Sequence, residues 1–355
     1  MLYISKFYDI IIVEDKLIFL KEVVVIANRK QSGKADNRAQ IDEIMKYLFG
    51  VSKETLINML NSLFKQNFNV DNSAIIQTNS EFIDENFDIT RGDLFYRVID
   101  ESKPYNLHIE LQTRPDGYMT IRLLEYDIKK ADENQRLDNF DNKSNIKRYV
   151  LPKSIVIHVE SNQNIPDCYE SEIVDIKADG AEEIIHRIVP VIKYWEMTDK
   201  DLIEQKLYPL LPLQIFLLRS NLKKFAKEKN SDSKQKVIQE IKDLTEKIII
   251  QAHNLVRENK INESDDYKIV AALDKLIKYL NKQYNFDENL DQEVDTVIQS
   301  VYITLKEETK REAKTEVAKK MILKDKPLAE IIEFTGLAEK KIRELAKELS
   351  KEIIL

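Results

Sequence analysis

The residues from Arg91 to Tyr126 constrain this chain more than any others. They hold two runs with a period of two, Arg91 to Val98 and Tyr105 to Gln112, separated by turn-forming residues from Asp100 to Pro104. Successive side chains of a strand point to opposite faces. Leu94, Tyr96 and Val98 therefore share one face of the first run, with Asp93, Phe95 and Arg97 on the other. In the second run Leu107, Ile109 and Leu111 share a face, and His108, Glu110 and Gln112 lie opposite. The pattern predicts an antiparallel hairpin, apolar on one side. Its other side gathers Asp93, His108, Glu110 and Gln112. Two carboxylates on adjoining strands repel, and burying both without a partner is costly. A hard divalent cation held by oxygen ligands removes that cost. The competing reading is a plain solvated face.

Helical spacing flanks the hairpin. Ile41 to Phe49 and the stretch opened by Ser52 read as two helices, and Ala74 to Thr78 as a short strand. Met119 to Ala131 reads as a helix with Ile121, Leu124 and Ile128 on one side. Arg122 and Tyr126, four apart, share a face of it. A polar loop is expected over Asp132 to Asn145, and strands over Ser154 to Val159 and Ser171 to Ile176. Beyond Pro190 the pattern is read as helical, over Leu207–Leu218, Val237–Val256, Tyr267–Tyr284 and Glu293–Lys351, with an exposed connector at Lys223–Lys236. Four segments follow: an extension over residues 1–35, an α/β core over 36–179, a helical region over 180–310, and terminal helices over 311–355.

A charged fraction of 33%, with only 6 Gly and 8 Pro in 355 residues, agrees with a helix-rich chain. The net charge of -7 excludes a basic nucleic-acid coat, so any DNA contact uses local positive patches. Two stand out: Lys223, Lys224, Lys227 and Lys229, and a second set of Lys340, Lys341 and Arg343. A single cysteine, Cys168, excludes an internal disulfide and a cysteine-rich zinc site. No apolar run approaches the ~20 residues that span a membrane. Met1 to Ile12 lacks the pattern of a signal peptide, and a cytoplasmic location is expected.

The C-terminal stretch carries its own signal. Pro327 to Phe334 reads as a helix with Pro327 at its first position, Thr335-Gly336-Leu337 as a tight turn, and Ala338 to Leu349 as a second helix. Two short helices about a glycine turn are the helix-turn-helix pattern, which places Lys340, Lys341 and Arg343 against DNA. Glu339, Glu344 and Glu348 interrupt the basic face. A helical hairpin that packs or forms a homo-oligomer is the competing reading.

Several strings together resemble the PD-(D/E)xK nuclease superfamily, in its recombination-promoting nuclease (Rpn), transposase-associated branch. They are Asp42 to Gly50, Gly92 to Arg97, His108 to Gln112, Pro115 to Met119, Arg122 to Tyr126 and Leu207 to Leu213. The resemblance reaches the C-terminal segment and omits the first 35 residues. It implies a restriction-endonuclease-like mixed sheet flanked by helices, with a helical region after it. It further implies an endonuclease that hydrolyses DNA phosphodiesters with Mg²⁺ or Mn²⁺ in recombination or a mobile element. Its acidic metal ligands fall on Asp93 and Glu110, with Asp42 as a further candidate. The third motif position falls on Gln112, where the superfamily has lysine. A neutral amide cannot stabilise developing negative charge as an ammonium does, so it leaves that work to the cation or to a neighbour such as Arg122. The alternative is an inactive fold that only binds DNA, or self-associates through its helices.

Overall fold

A computed structural model describes residues 37–353, apart from 79–80, 84–88, 92–93, 114, 138–148 and 229–230. The extension over 1–35, Asp93 and most of the expected 132–145 loop lie outside the described residues, as does the side chain of Asp42. The chain divides into two compact units, residues 1–40 and residues 41–355, and all that follows concerns the second.

Its centre is a six-stranded sheet in the order β1-β4-β5-β6-β8-β7. The strands are β1 (Ala74–Thr78), β4 (Leu94–Asp100), β5 (Lys103–Gln112), β6 (Lys153–His158), β7 (Cys168–Ile176) and β8 (Glu182–Lys193). A separate two-stranded pair is formed by β2 (Glu81–Ile83) and β3 (Ile89–Arg91). β4 and β5 form the expected antiparallel hairpin, with Leu94 opposite Ile109 and Asp100 opposite Lys103. Its turn is the pair Glu101-Ser102, both at positive φ (47° and 66°), as two-residue hairpin turns require. β5 runs parallel to β6, and β6 parallel to β8. Parallel neighbours need a crossover. Between β5 and β6 it is helix α3 (Met119–Leu137), which covers one face of the sheet.

The two faces divide as the alternation requires. Leu94, Tyr96, Val98, Leu107 and Ile109, with Ile155 and Ile157 of β6, are buried in the main core. They pack there with helix α2 (Lys53–Phe64), the wholly buried turn of 3-10 helix at 208–216, and Ile44, Met45 and Leu48 of α1 (Asn37–Leu48). The same core continues into α6 (Ser231–Arg257) and α7 (Glu263–Tyr284). Ser52 caps α2 as its sequence position implies, its Oγ accepting from Thr55 N. Asp265, buried on α7, accepts in turn from Ser52 N (2.7 Å), Ser52 Oγ (2.5 Å) and Thr55 Oγ1 (2.7 Å).

Several sequence expectations are corrected. Helix α3 extends past Ala131 to Leu137, and its buried side is Leu123, Tyr126, Asp127, Lys130 and Asn134. Ile121 and Ile128 are 56% and 50% exposed, so the apolar stripe faces outward. The reason is the surface below: that side of the hairpin is polar, and polar groups of α3 satisfy it. The region after residue 179 is not all helix. β8 completes the sheet, and Pro190 sits within it opposite Cys168. After the short helix α4 (Asp199–Glu204), the expected connector at 223–236 is occupied by α5 (Arg219–Glu228) and the start of α6.

The long helix α8 (Leu290–Leu323) ends in a small unit with α9 (Leu328–Thr335) and α10 (Glu339–Glu348). Ala318, Ile322, Leu328, Ile331, Ile342, Leu345 and Ala346 form its own apolar cluster. Gly336 ends α9 at φ 63°, the left-handed cap that glycine adopts at least cost. Pro327 is the residue before the helix, with extended backbone (ψ 145°), and not its first residue. No helix among the described residues is long and apolar enough to cross a membrane.

Candidate functional site

β5 delivers His108, Glu110 and Gln112 onto the sheet face under α3, at the carboxyl end of a strand with a parallel neighbour. In open α/β sheets this is where ligands bind. Glu110 is fully buried. Its Oε1 accepts from Gln112 Nε2 (2.8 Å) and from Arg122 Nη2 (2.8 Å). Arg122 reaches down from the first turn of α3. It also donates through Nη1 to Asp116 Oδ2 (2.6 Å) and through Nε to the Tyr126 hydroxyl (3.2 Å). Partial burial alone works against its charge. The Glu110 carboxylate and the bonds to Asp116 and Tyr126 outweigh that and raise its pKa above the usual guanidinium value. Arg122 thus pairs with Glu110 and Asp116, not with Glu125.

The second oxygen, Glu110 Oε2, is buried and has no hydrogen-bond partner among the described residues. It faces His108 Nε2 at 3.5 Å, which is also without one. Unpaired buried polar atoms are uncommon and call for a reason, such as an ion or water. His108 itself is tightly held. Its ring stacks on Phe95, the residue opposite it in the hairpin, at 4.1 Å between centroids. Its Nδ1 is 2.9 Å from Asp127 Oδ1. Asp127 Oδ2 takes Ser154 Oγ (2.5 Å) and the guanidinium of Arg187. Asp127, Ser154, Arg187 and Asp116 carry this buried network, and sequence reasoning assigned none of them a role.

Of the sequence-derived site residues, Glu110, Gln112 and Arg122 come together. Asp93 and the Asp42 side chain lie outside the described residues. Lys340, Lys341 and Arg343 lie on α10 in the terminal unit, all exposed. Arg343 pairs with Glu339 (2.6 Å) and Lys341 with Glu344 (3.6 Å). Among the described residues no group of three His, Cys, Asp or Glu side chains is placed to hold a metal ion. The donor chemistry at Glu110 still fits a hard cation. One carboxylate oxygen is buried and unpaired, and the Gln112 amide brings a neutral oxygen close by.

The sheet, its βαβ crossover and a buried carboxylate at the carboxyl end of a parallel strand define a three-layer α/β protein with a polar strand-end site. The chain belongs to the family described as "Putative transposase, YhgA-like" (Transposase_31), whose model matches residues 39–247. That span contains the whole sheet, α3 and the Glu110 cluster. No curated protein and no solved structure matches the chain.

Proposed function

We propose that the chain is a metal-dependent DNA endonuclease that hydrolyses phosphodiester bonds in the service of a mobile element or recombination. The observation that supports this most is the Glu110 carboxylate, buried with one oxygen held by Arg122 and Gln112 and the other unpaired. Membership of a transposase family supports the nucleic-acid substrate. Glu110, with Asp93 as the resemblance implies, would hold Mg²⁺ or Mn²⁺. A cation there supplies Lewis-acid polarisation of the scissile phosphate and a water of lowered pKa.

This chain's own residues divide the remaining work. Gln112 is fixed by its bond to Glu110 and presents an amide oxygen that orients a water by accepting a hydrogen bond from it. Arg122 keeps a positive charge beside Glu110 while its side chain stays 32% exposed. With Gln112 at the superfamily's lysine position, Arg122 is the neighbouring cation that can meet the negative charge developing on the phosphate. Asp116 and Tyr126 hold that guanidinium in place. The His108–Asp127 pair supports the inner side of Glu110, and α3 excludes water from it.

Plasmid nicking tests the proposal. Wild-type protein is expected to nick in the presence of Mg²⁺ and to stop when the metal is chelated. Glu110→Gln, which keeps shape but loses the charge, is expected to lower the rate by about a hundredfold or more. Equal rates for the two proteins would remove Glu110 from the chemistry and the reading with it.

A further inference from the structure

The carboxyl ends of β5, β6 and β8 lie side by side. Gln112 is opposite His158, and His158 opposite Lys193, so the three form one row across three strands. Residues paired across strands share a face, and this face is the one that carries Glu110. Strands lie about 4.8 Å apart, which puts the backbone of Lys193 about 10 Å from that of Gln112. Tyr169 of β7 stands beside the row, opposite Val189 of β8, with its ring against the cluster of Met119, Leu123, Val156 and Val189.

The polar ends of these residues form a chain. His158 is fully buried, and its Nε2 is 3.0 Å from the Tyr169 hydroxyl. Its Nδ1 is buried with no partner among the described residues. Orphaned buried N–H donors are rarer than under-used acceptors, so Nδ1 is assigned the lone pair and Nε2 the proton. Nε2–H then donates to the Tyr169 oxygen and leaves the phenolic proton for another acceptor. Burial pushes the His158 pKa down to about 4, which keeps the ring neutral near pH 7. Tyr169 is raised by burial and then by Asp116, whose field reaches it. Asp116 is also the Arg122 partner, so the row and the Glu110 cluster are contiguous. Lys193 supplies the positive charge. Its ammonium is held by Asp167 at 2.5 Å, but the Asp167 side chain is 92% exposed. A pair with so open a partner contributes little and exchanges readily.

We propose that Tyr169 and Lys193, with His158 as the positioning residue behind the phenol, form a second phosphate subsite. It receives a phosphate of the same DNA strand that neighbours the one at Glu110. This rests on the nuclease reading for its ligand and goes beyond it in the residues and the subsite. Tyr169 donates its hydroxyl proton to a non-bridging oxygen, and Lys193 exchanges Asp167 for the phosphate.

Binding of a short duplex oligonucleotide, measured without divalent metal over a series of salt concentrations, is the test. Lys193→Gln is expected to reduce the slope of log K against log salt by about one unit. Tyr169→Phe is expected to weaken binding about three- to tenfold at every salt concentration, with the slope unchanged. His158→Ala should behave as Tyr169→Phe, and His158→Gln, whose amide can donate to the same phenol, should recover part of the loss. Wild-type affinity and slope in both Lys193→Gln and Tyr169→Phe would overturn the subsite. Nicking with Mg²⁺ separates the two ideas. Cleavage by wild type, with unaltered DNA binding by both variants, removes the subsite and leaves the nuclease. Binding that responds as expected, in a wild type that never cleaves, removes the nuclease and leaves the subsite. A wild type that binds no DNA overturns both.

Discussion

Asp127, fully buried on α3, ties that helix to the strands beneath it. One of its oxygens takes His108 Nδ1, and the other takes Ser154 and Arg187. Removing it leaves the buried His108 Nδ1 without its acceptor and the mostly buried Arg187 guanidinium without its carboxylate. Asp127→Ala is therefore expected to cost about 3–5 kcal/mol, the range for breaking a buried pair from one side. Denaturant unfolding measures this, and a loss below about 1 kcal/mol would mean the network is dispensable. Sequence alone gave no sign of this role. Asp127 lies between Tyr126 and Ile128, on a helix whose apolar stripe at Ile121, Leu124 and Ile128 reads as the inner face. Its partners come from strands 27 and 60 residues further on. Glu110, Gln112 and Arg122 were legible for the opposite reason. Period-two alternation fixes the first two on one face, and a short crossover turn brings the third back over it.

At the scale of elements, two adjacent acids on α7 do opposite things. Asp265 receives three hydrogen bonds from the first turn of α2 and so fastens that helix to α7. Asp265→Ala leaves those donors without their acceptor and is expected to destabilise by about 2–3 kcal/mol in thermal or denaturant unfolding. Asp266 faces Tyr302 of α8, and burial pushes its carboxyl up to about 6 even though the Tyr302 hydroxyl bond works the other way. A raised carboxyl pKa means that the folded state binds the proton more tightly than the unfolded chain. Its contribution is then fully present below the unfolded pKa of about 3.9 and is lost as pH rises through about 6. Asp266→Asn should match wild type near pH 4 and gain on it above pH 6, read as a pH series of melting temperatures. A constant difference across that window would place the proton elsewhere. The helix carrying these acids was evident from spacing only from Tyr267 on, which left both acids before its expected start, and β8 was not evident at all. Its paired isoleucines, Ile184 and Ile185, break the alternation, and Pro190 removes a ladder donor, so only its partners β6 and β7 make it a strand.

At the scale of the whole molecule, the sheet and the helices from 208 to 294 share one core. A separate apolar cluster gathers from Ala318 on, where the end of α8 meets α9 and α10. The family match stops at 247, well short of that unit. We predict that the terminal unit adds DNA affinity through α10. A chain of net charge -7 is repelled by DNA unless positive groups are concentrated. Lys340, Arg343 and Lys347 recur at helical spacing on the exposed side of α10. Arg343 and Lys341 are engaged with glutamates on their own helix. Such exposed pairs are worth only about 0.3–0.5 kcal/mol and yield to a phosphate. Replacing Lys340, Lys341 and Arg343 together by glutamine should weaken duplex binding and lower the log–log salt slope. The drop is about one unit if only Lys340 reaches the backbone, and about three if all do. Sedimentation of the same variant separates this from a role in self-association, since a shifted oligomer with an unchanged slope assigns α10 to protein contact. An unchanged slope with an unchanged oligomer would make residues 327–349 a packing unit only.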